Sequence, residues 1–223
     1  MNNKSESYDK KIDDPTCYKC DCGTYCSTGK PSRELENCPI KTSPEIQKKA
    51  IKLYETDDFI KRSNFAATIA KSQGTMPRLR ATIEYSKAMG FRKLGIAYCG
   101  ALQRETIKTT EILLYYGFEV SSVCCPTGIN KKINVEIPDE FKSYSKRGYN
   151  FNSISCNPVA QALLLNKANT DMNIIIGLCV GHDVTFTFLS KAPVITLIAK
   201  DWFIPHNPSE SLNSFYNELR SKL

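Results

Sequence analysis

From residue 44 onward, apolar residues recur at helical spacing. Ile46, Ala50, Leu53 and Tyr54 form one stripe. Ser43-Pro44-Glu45 ahead of it reads as a helix start, with Ser43 at the cap and Pro44 at the first helical position. The same period predicts helices over 59–73 and 78–89, the latter closed by Gly90. The pattern then shifts to short apolar runs. Lys93-Leu94-Gly95-Ile96-Ala97-Tyr98 predicts a strand running into Cys99, residues 101–116 a helix closed by Gly117, and residues 118–123 a second strand running into Cys124-Cys125-Pro126. A polar excursion of about thirty residues follows, a length that is usually functional or unstructured. Helix 158–168, strand 173–178, helix 182–190, strand 194–199 and a terminal helix over 209–223 complete the chain.

Strands that alternate with helices predict a parallel sheet with right-handed crossovers. The runs Ile174-Ile175-Ile176 and Val194-Ile195-Thr196-Leu197-Ile198 suit strands covered on both faces. The expected fold is an α/β three-layer sandwich around a short, Rossmann-like or flavodoxin-like parallel sheet in the order 2-1-3-4. The expected organisation is a disordered tail over 1–16, a Cys-rich segment over 17–42, and a helical lead-in plus α/β domain over 43–223.

Composition narrows the setting. With 41% hydrophobic and 24% charged residues the chain reads as an ordinary globular protein. Its polar first residues resemble no secretory signal, and its longest apolar runs are too short to span a bilayer. A cytoplasmic location and no membrane partner are expected. The net charge of +7 is scattered in pairs such as Lys48-Lys49 and Lys61-Arg62. No arginine stripe with interleaved aromatics accompanies it, so nucleic acid is not the expected partner. The closing Ser221-Lys222-Leu223 matches a peroxisomal address in a eukaryote and equally reads as the end of a helix.

Ten cysteines change the picture. In a reducing compartment they are more readily metal ligands or reactive thiols than disulfide partners. Cys17-x2-Cys20-x5-Cys26-x11-Cys38, with Cys22 between, lies in a segment too poor in apolar residues to fold without a staple. Cys17, Cys20, Cys26 and Cys38 are therefore candidate metal ligands, for zinc or an iron–sulfur cluster. In the sheet, ligands bind at the carboxyl ends of the strands where the order reverses, here between the first and third strands, which run into Cys99 and Cys179. Of the adjacent pair on the second strand, Cys125 is expected in this crevice and Cys124 in the core, since alternate residues face opposite ways. Cys156, ahead of Asn157-Pro158, falls at a helix start where the dipole favours thiolate. Cys99, Cys125, Cys156 and Cys179 are thus the candidate cofactor-binding set, a pattern that suits an iron–sulfur cluster. His182 stands at Cys-x-x-His spacing from Cys179 and is a candidate ligand or proton-transfer group, with Asp183 expected to orient it. Lys200, Asp201 and His206 follow the last strand at the same edge; His206, between two prolines, can also simply shape a turn. Any single cysteine can pack as a small hydrophobe, but five at one edge argue for a thiol site.

Together, several stretches resemble a bacterial family described as metal-binding, domain of unknown function 1847. They are Cys17 to Cys38-Pro39, Lys93 to Cys99, Val123-Cys124-Cys125, Cys156-Asn157-Pro158-Val159-Ala160-Gln161-Ala162, Gly177 to Asp183 and His206-Asn207-Pro208. The resemblance implies metal binding and no particular reaction, and Cys22 is an addition to the usual amino-terminal pattern. Three functions follow as expectations. One is an iron–sulfur redox protein served by a redox partner or small molecule. Another is a zinc-stapled protein that binds or senses a small ligand. The third is a thiol enzyme using Cys179 with His182 and Asp183. A nucleotide-binding enzyme is weaker, because no Gly-x-Gly-x-x-Gly follows the first strand.

Overall fold

The computed structural model describes residues 15–20, 26–33, 35–128 and 156–222. Cys22, most of the expected tail and the excursion after the second strand lie outside them. The chain divides into two compact units, one up to Asn64 and one from Phe65.

In the first unit, two single 3-10 turns, Cys17–Lys19 and Cys26–Thr28, precede a four-residue helix α1 (Pro39–Thr42) and helix α2 (Pro44–Thr56). Ser43 occupies the cap position of α2 with Pro44 next, although the Ser43 side chain makes no capping bond. Helix α3 (Asp58–Ser72) follows and contains the boundary between the two units.

The second unit carries the sheet. Helix α4 (Arg78–Met89) closes at Gly90 and leads into β1 (Lys93–Tyr98), then a 3-10 turn (Gly100–Leu102), α5 (Gln103–Tyr115) and β2 (Glu119–Cys124). After the excursion come α6 (Pro158–Lys167), β3 (Met172–Ile176), α7 (His182–Leu189), β4 (Val194–Ile198) and α8 (Pro208–Arg220). The four strands are parallel and ordered β2-β1-β3-β4. This is the expected α/β sandwich, a parallel sheet flanked by helices, and the order reverses between β1 and β3. Gly95 is the register partner of Ser121 on one side and Asn173 on the other.

All five residues of β3 are buried, as a central strand under helices requires. Ile174, Ile175 and Ile176 pack with Leu94, Ile96, Leu113, Leu165 and Phe186 in one core cluster, each large aliphatic contributing about 1.5–3 kcal/mol by leaving water. Asn173, the polar exception in this strand, is satisfied by Thr170 Oγ1 and Ser190 Oγ, each at 2.8 Å. The reading of Val194–Ile198 as covered on both faces needs correcting: β4 is an edge strand with one neighbour, and none of its residues is fully buried. It also carries an irregularity. Ile175 pairs with Thr196 but Ile176 pairs with Ile198, so Leu197 has no register partner. Among the described residues no helix is long and apolar enough to cross a membrane.

Candidate functional site

In the first unit, Cys17, Cys20, Cys26 and Cys38 line a single cavity of about 490 Å³ together with Leu35, Pro39 and Ile40. Their elements explain the placement. Cys17 and Cys26 each open a 3-10 turn, and Cys38 stands at the start of α1 ahead of Pro39. The Cys38 side chain is buried. Hydrogen bonds from the backbone at Ser32, and then at Ile40 and Lys41, hold its thiol below the ordinary thiol value. The donor set is soft sulfur in a shared cavity, which fits a thiophilic metal.

In the second unit the carboxyl end of the sheet gathers sulfur from four chain segments. Cys99 follows β1, Cys125 follows β2, Cys156 precedes α6 and Cys179 lies between β3 and α7. All four are free thiols. The thiols of Cys99 and Cys125 lie near enough to shift one another's ionisation, as do those of Cys125 and Cys156. Lys200, just beyond β4, donates from Nζ to Cys99 Sγ at 2.8 Å and to Cys179 Sγ at 3.2 Å. His182 stands close enough to Cys179 to hold its thiol below the ordinary value. The result is a continuous series, Cys156–Cys125–Cys99–Lys200–Cys179–His182, at the point where the strand order reverses.

Backbone contacts hold this series in place. Cys99 N donates to Ile176 O at 3.0 Å and Cys125 N to Tyr98 O at 2.8 Å, continuing the ladder past the strand ends. Asn157 N donates to Cys125 O at 2.7 Å, tying the start of α6 to the end of β2. Asn157 then caps α6 through its side chain, which accepts from Ala160 N at 2.9 Å. Gly177 turns the chain out of β3 at φ +63°, where a side chain would also strike Leu102 at 2.7 Å. That close approach keeps the Cys179 segment against the turn that follows Cys99.

The thiols divide into two electrostatic classes. The hydrogen bond to Cys125, then burial, pushes the Cys99 thiol far up, and the Lys200 ammonium beside it offsets this only in part. Cys125 is pushed up to about 11, first by its bond to Cys156. Cys156 is lowered by accepting from Cys125, and Cys179 by His182 and then Lys200. Burial works against the charge on Lys200, but its bonds to Cys99 and Cys179 outweigh that and raise its value. The site therefore pairs two thiols whose ionisation is disfavoured, Cys99 and Cys125, with two whose ionisation is favoured and a nearby cation.

Among the described residues no three His, Cys, Asp or Glu side chains close round one point as a metal ion would need. At the sheet edge the Lys200 ammonium is the cation between Cys99 and Cys179. Donor chemistry at this edge fits a soft metal centre, and such a centre would take the place of that ammonium.

Two expectations need correcting. Cys124 does not enter the core. It is half-buried, with its thiol hydrogen-bonded to Tyr98 and its sulfur beside Gly100, because β2 is an edge strand whose outer face is only partly covered. Asp183 does not orient His182. Its Oδ1 accepts from Gly181 N at 3.0 Å and Val184 N at 2.8 Å, so the carboxylate serves the exposed amides at the start of α7. His206 takes a left-handed φ of 58° and its backbone N–H donates to Asp201 O, which is a turn-forming role. Sequence reasoning placed Lys200 at this edge without assigning it a partner, and it passed over Gln161. That residue's Nε2 donates to Tyr98 O at 3.2 Å and Val123 O at 2.8 Å.

The profile of the family described as "Protein of unknown function (DUF1847)" matches residues 38–197. An uncharacterized protein of the archaeon Methanocaldococcus jannaschii is 36% identical over 202 residues, spanning 90% of this chain and 94% of that protein. That relative does not support the bacterial restriction in the resemblance. No solved structure matches.

Proposed function

The chain belongs to the DUF1847 family, whose description carries no activity, and we propose that it is a cytoplasmic metal-binding thiol protein with two sites. In the first, Cys17, Cys20, Cys26 and Cys38 hold zinc or an iron–sulfur cluster. In the second, Cys99, Cys125, Cys156 and Cys179 hold a soft metal centre, an iron–sulfur cluster by preference, at the carboxyl edge of the sheet. The observation that carries the reading is the Lys200 ammonium donating to sulfurs from two chain segments, with the thiols of two further segments beside them. A chance packing of cysteines as small hydrophobes would not select four separate segments at one strand-order reversal.

A bound cluster would supply one-electron transfer, to a redox partner or a small molecule, and zinc would supply order or Lewis acidity. The chain's own contribution is separate from that chemistry. Lys200 offers positive charge against a thiolate-rich site, and hydrogen bonds to sulfur are among the levers that set a cluster's potential. His182, beside Cys179, is positioned to accept or release a proton at that sulfur.

The test is anaerobic purification, metal and sulfide analysis, and a visible spectrum. Brown protein with about equal iron and sulfide supports the cluster, and its loss in Cys156→Ser and Cys179→Ser assigns it to the sheet edge. Colourless protein with zinc confined to the amino-terminal thiols supports only the first site. No metal after isolation, and none taken up from zinc(II) or from iron with sulfide, overturns the proposal.

A second reading has its own support. Cys179 lies 3.2 Å from the Lys200 ammonium, with His182 near enough to lower its thiol, the surroundings of a nucleophilic thiolate. It predicts that Cys179 is alkylated by iodoacetamide far faster than the other thiols, in protein that holds no metal at the sheet edge.

A further inference from the structure

Gln161 is fully buried in α6, a helix that packs across β1 and β2. Its single amide nitrogen donates to two carbonyls, Tyr98 O at 3.2 Å and Val123 O at 2.8 Å. Tyr98 is the residue before Cys99, and Val123 stands two before Cys125. The carbonyl at Tyr98 also receives Cys125 N at 2.8 Å. One side chain thus links the last residues of both strands at the level where the two sulfurs meet.

The other half of the same amide is at odds with a purely packing role. Gln161 Oε1 is buried and has no hydrogen-bond partner among the described residues. An unpaired buried acceptor is destabilising, and an apolar side chain of the same shape would avoid that cost. A glutamine here is explained by what its N–H groups hold.

We infer that Gln161 is a positioning residue for the sheet-edge thiols, a clamp that sets the separation of Cys99 and Cys125. It acts with its neighbours on α6. Asn157 N holds Cys125 O at 2.7 Å, and Cys156, one residue earlier, meets the Cys125 sulfur. The first turn and a half of α6 therefore positions three of the four sulfurs, and Gln161 is the only one of these links that reaches β1. Strand ends are where ladders fray, and a side-chain cross-link that does not belong to the ladder opposes that fraying. The role of these sulfurs as ligands rests on the proposed function, whereas the clamp itself rests on geometry alone.

The test uses the full chain and two variants, Gln161→Met, which keeps the shape and removes both donors, and Gln161→Glu, which keeps an acceptor in their place. Two readouts are taken. In the first, metal-free protein is treated with diamide, which accepts two electrons and two protons as two thiols become a disulfide, and the Cys99–Cys125 bond is followed by peptide mass spectrometry. In the second, cobalt(II) is added and its thiolate charge-transfer bands are recorded. The clamp predicts that Gln161→Met melts no lower than the parent yet forms the Cys99–Cys125 disulfide at least about tenfold more slowly, since small misplacements of reacting groups cost that much or more. Its cobalt spectrum should also differ from the parent's.

A parental disulfide rate and spectrum in the variant would overturn the clamp, as would a parent chain that forms no Cys99–Cys125 disulfide. A lowered melting temperature with unchanged thiol coupling would show that Gln161 only supports the fold. If Gln161→Met does not fold, Gln161→Glu is read by the same criteria. A parent chain that takes up no cobalt but shows the disulfide difference would count against the metal reading and leave the clamp standing.

Discussion

Gly95 in β1 faces Asn173 in β3 so closely that a β-carbon on the glycine would lie 1.9 Å from Asn173 Oδ1. The asparagine cannot retreat without breaking its bonds to Thr170 and Ser190. Leu165 stands behind it at 3.1 Å from the same position. Gly95→Ala should therefore cost about 3 kcal/mol or more, at the upper end of overpacking effects. Chemical denaturation measures it. Adding Asn173→Ala should recover part of the loss, a non-additive result expected of residues in contact. Equal stability of Gly95→Ala and the parent would show that the sheet can open at this point.

The two thiol classes predict an order of labelling. At about pH 8, near the ordinary thiol value, iodoacetamide should reach Cys179 and Cys156 before Cys125 and Cys99, as read by peptide mass spectrometry. The sign of the pH dependence follows. Cys179 and Cys156, lowered in the folded state, contribute stability above the unfolded thiol value and lose it as pH falls through their folded values. Cys125 does the opposite, contributing below the unfolded value and losing that contribution as pH rises through about 11. Metal-free protein should thus show an alkaline loss of stability that Cys125→Ala removes.

Lys200→Met removes the cation between Cys99 and Cys179 while keeping the aliphatic stem. Alkylation of Cys179 should slow several-fold at fixed pH, because the thiolate loses one of the groups that hold its value down. Lys200→Arg should keep most of the rate. A Cys179 rate untouched by Lys200→Met would leave His182, the largest of the groups that lower it, as the one that governs it.

The amino-terminal cavity predicts a different kind of loss. Cys38→Ser should release about one equivalent of metal and expose residues 15–43 to protease, because ligand bonds supply the order that a small apolar content cannot. The far-ultraviolet circular dichroism of the sheet unit should stay as in the parent. Equal protection of that segment with and without a chelator would sink the idea of a metal staple there.

Much of the fold was legible because its signals are local. The apolar run Lys93–Tyr98 and the all-apolar centre of β3 announce buried parallel strands, and the strand order followed from connectivity. What local signals do not carry is the state of an edge. Cys124 and Val194–Ile198 read like their buried counterparts, and only the sheet's finite width leaves them half-covered. At the site, the positions of Cys99 after β1 and Cys156 ahead of Asn157-Pro158 follow from strand and cap chemistry. The partner of Asp183 does not, since a carboxylate in the first turn of a helix has nearby amides to satisfy as well as a histidine to orient. The partners of Lys200 and Gln161 were illegible for another reason. Their contacts depend on how far a long side chain reaches across the sheet edge, a distance that no periodicity encodes.

The spacing of the two thiol groups along the chain has a temporal consequence. Ribosomes release a chain from its amino terminus at about 5–20 residues per second. All four cysteines that line the first cavity are complete by Cys38, whereas the sheet-edge series is incomplete until Lys200 has been added. The first group is thus available to a metal several seconds or more before the second can assemble. If both proposed sites bind metal, a chain made where metal is scarce meets it first at the amino-terminal thiols, before the sheet-edge series exists.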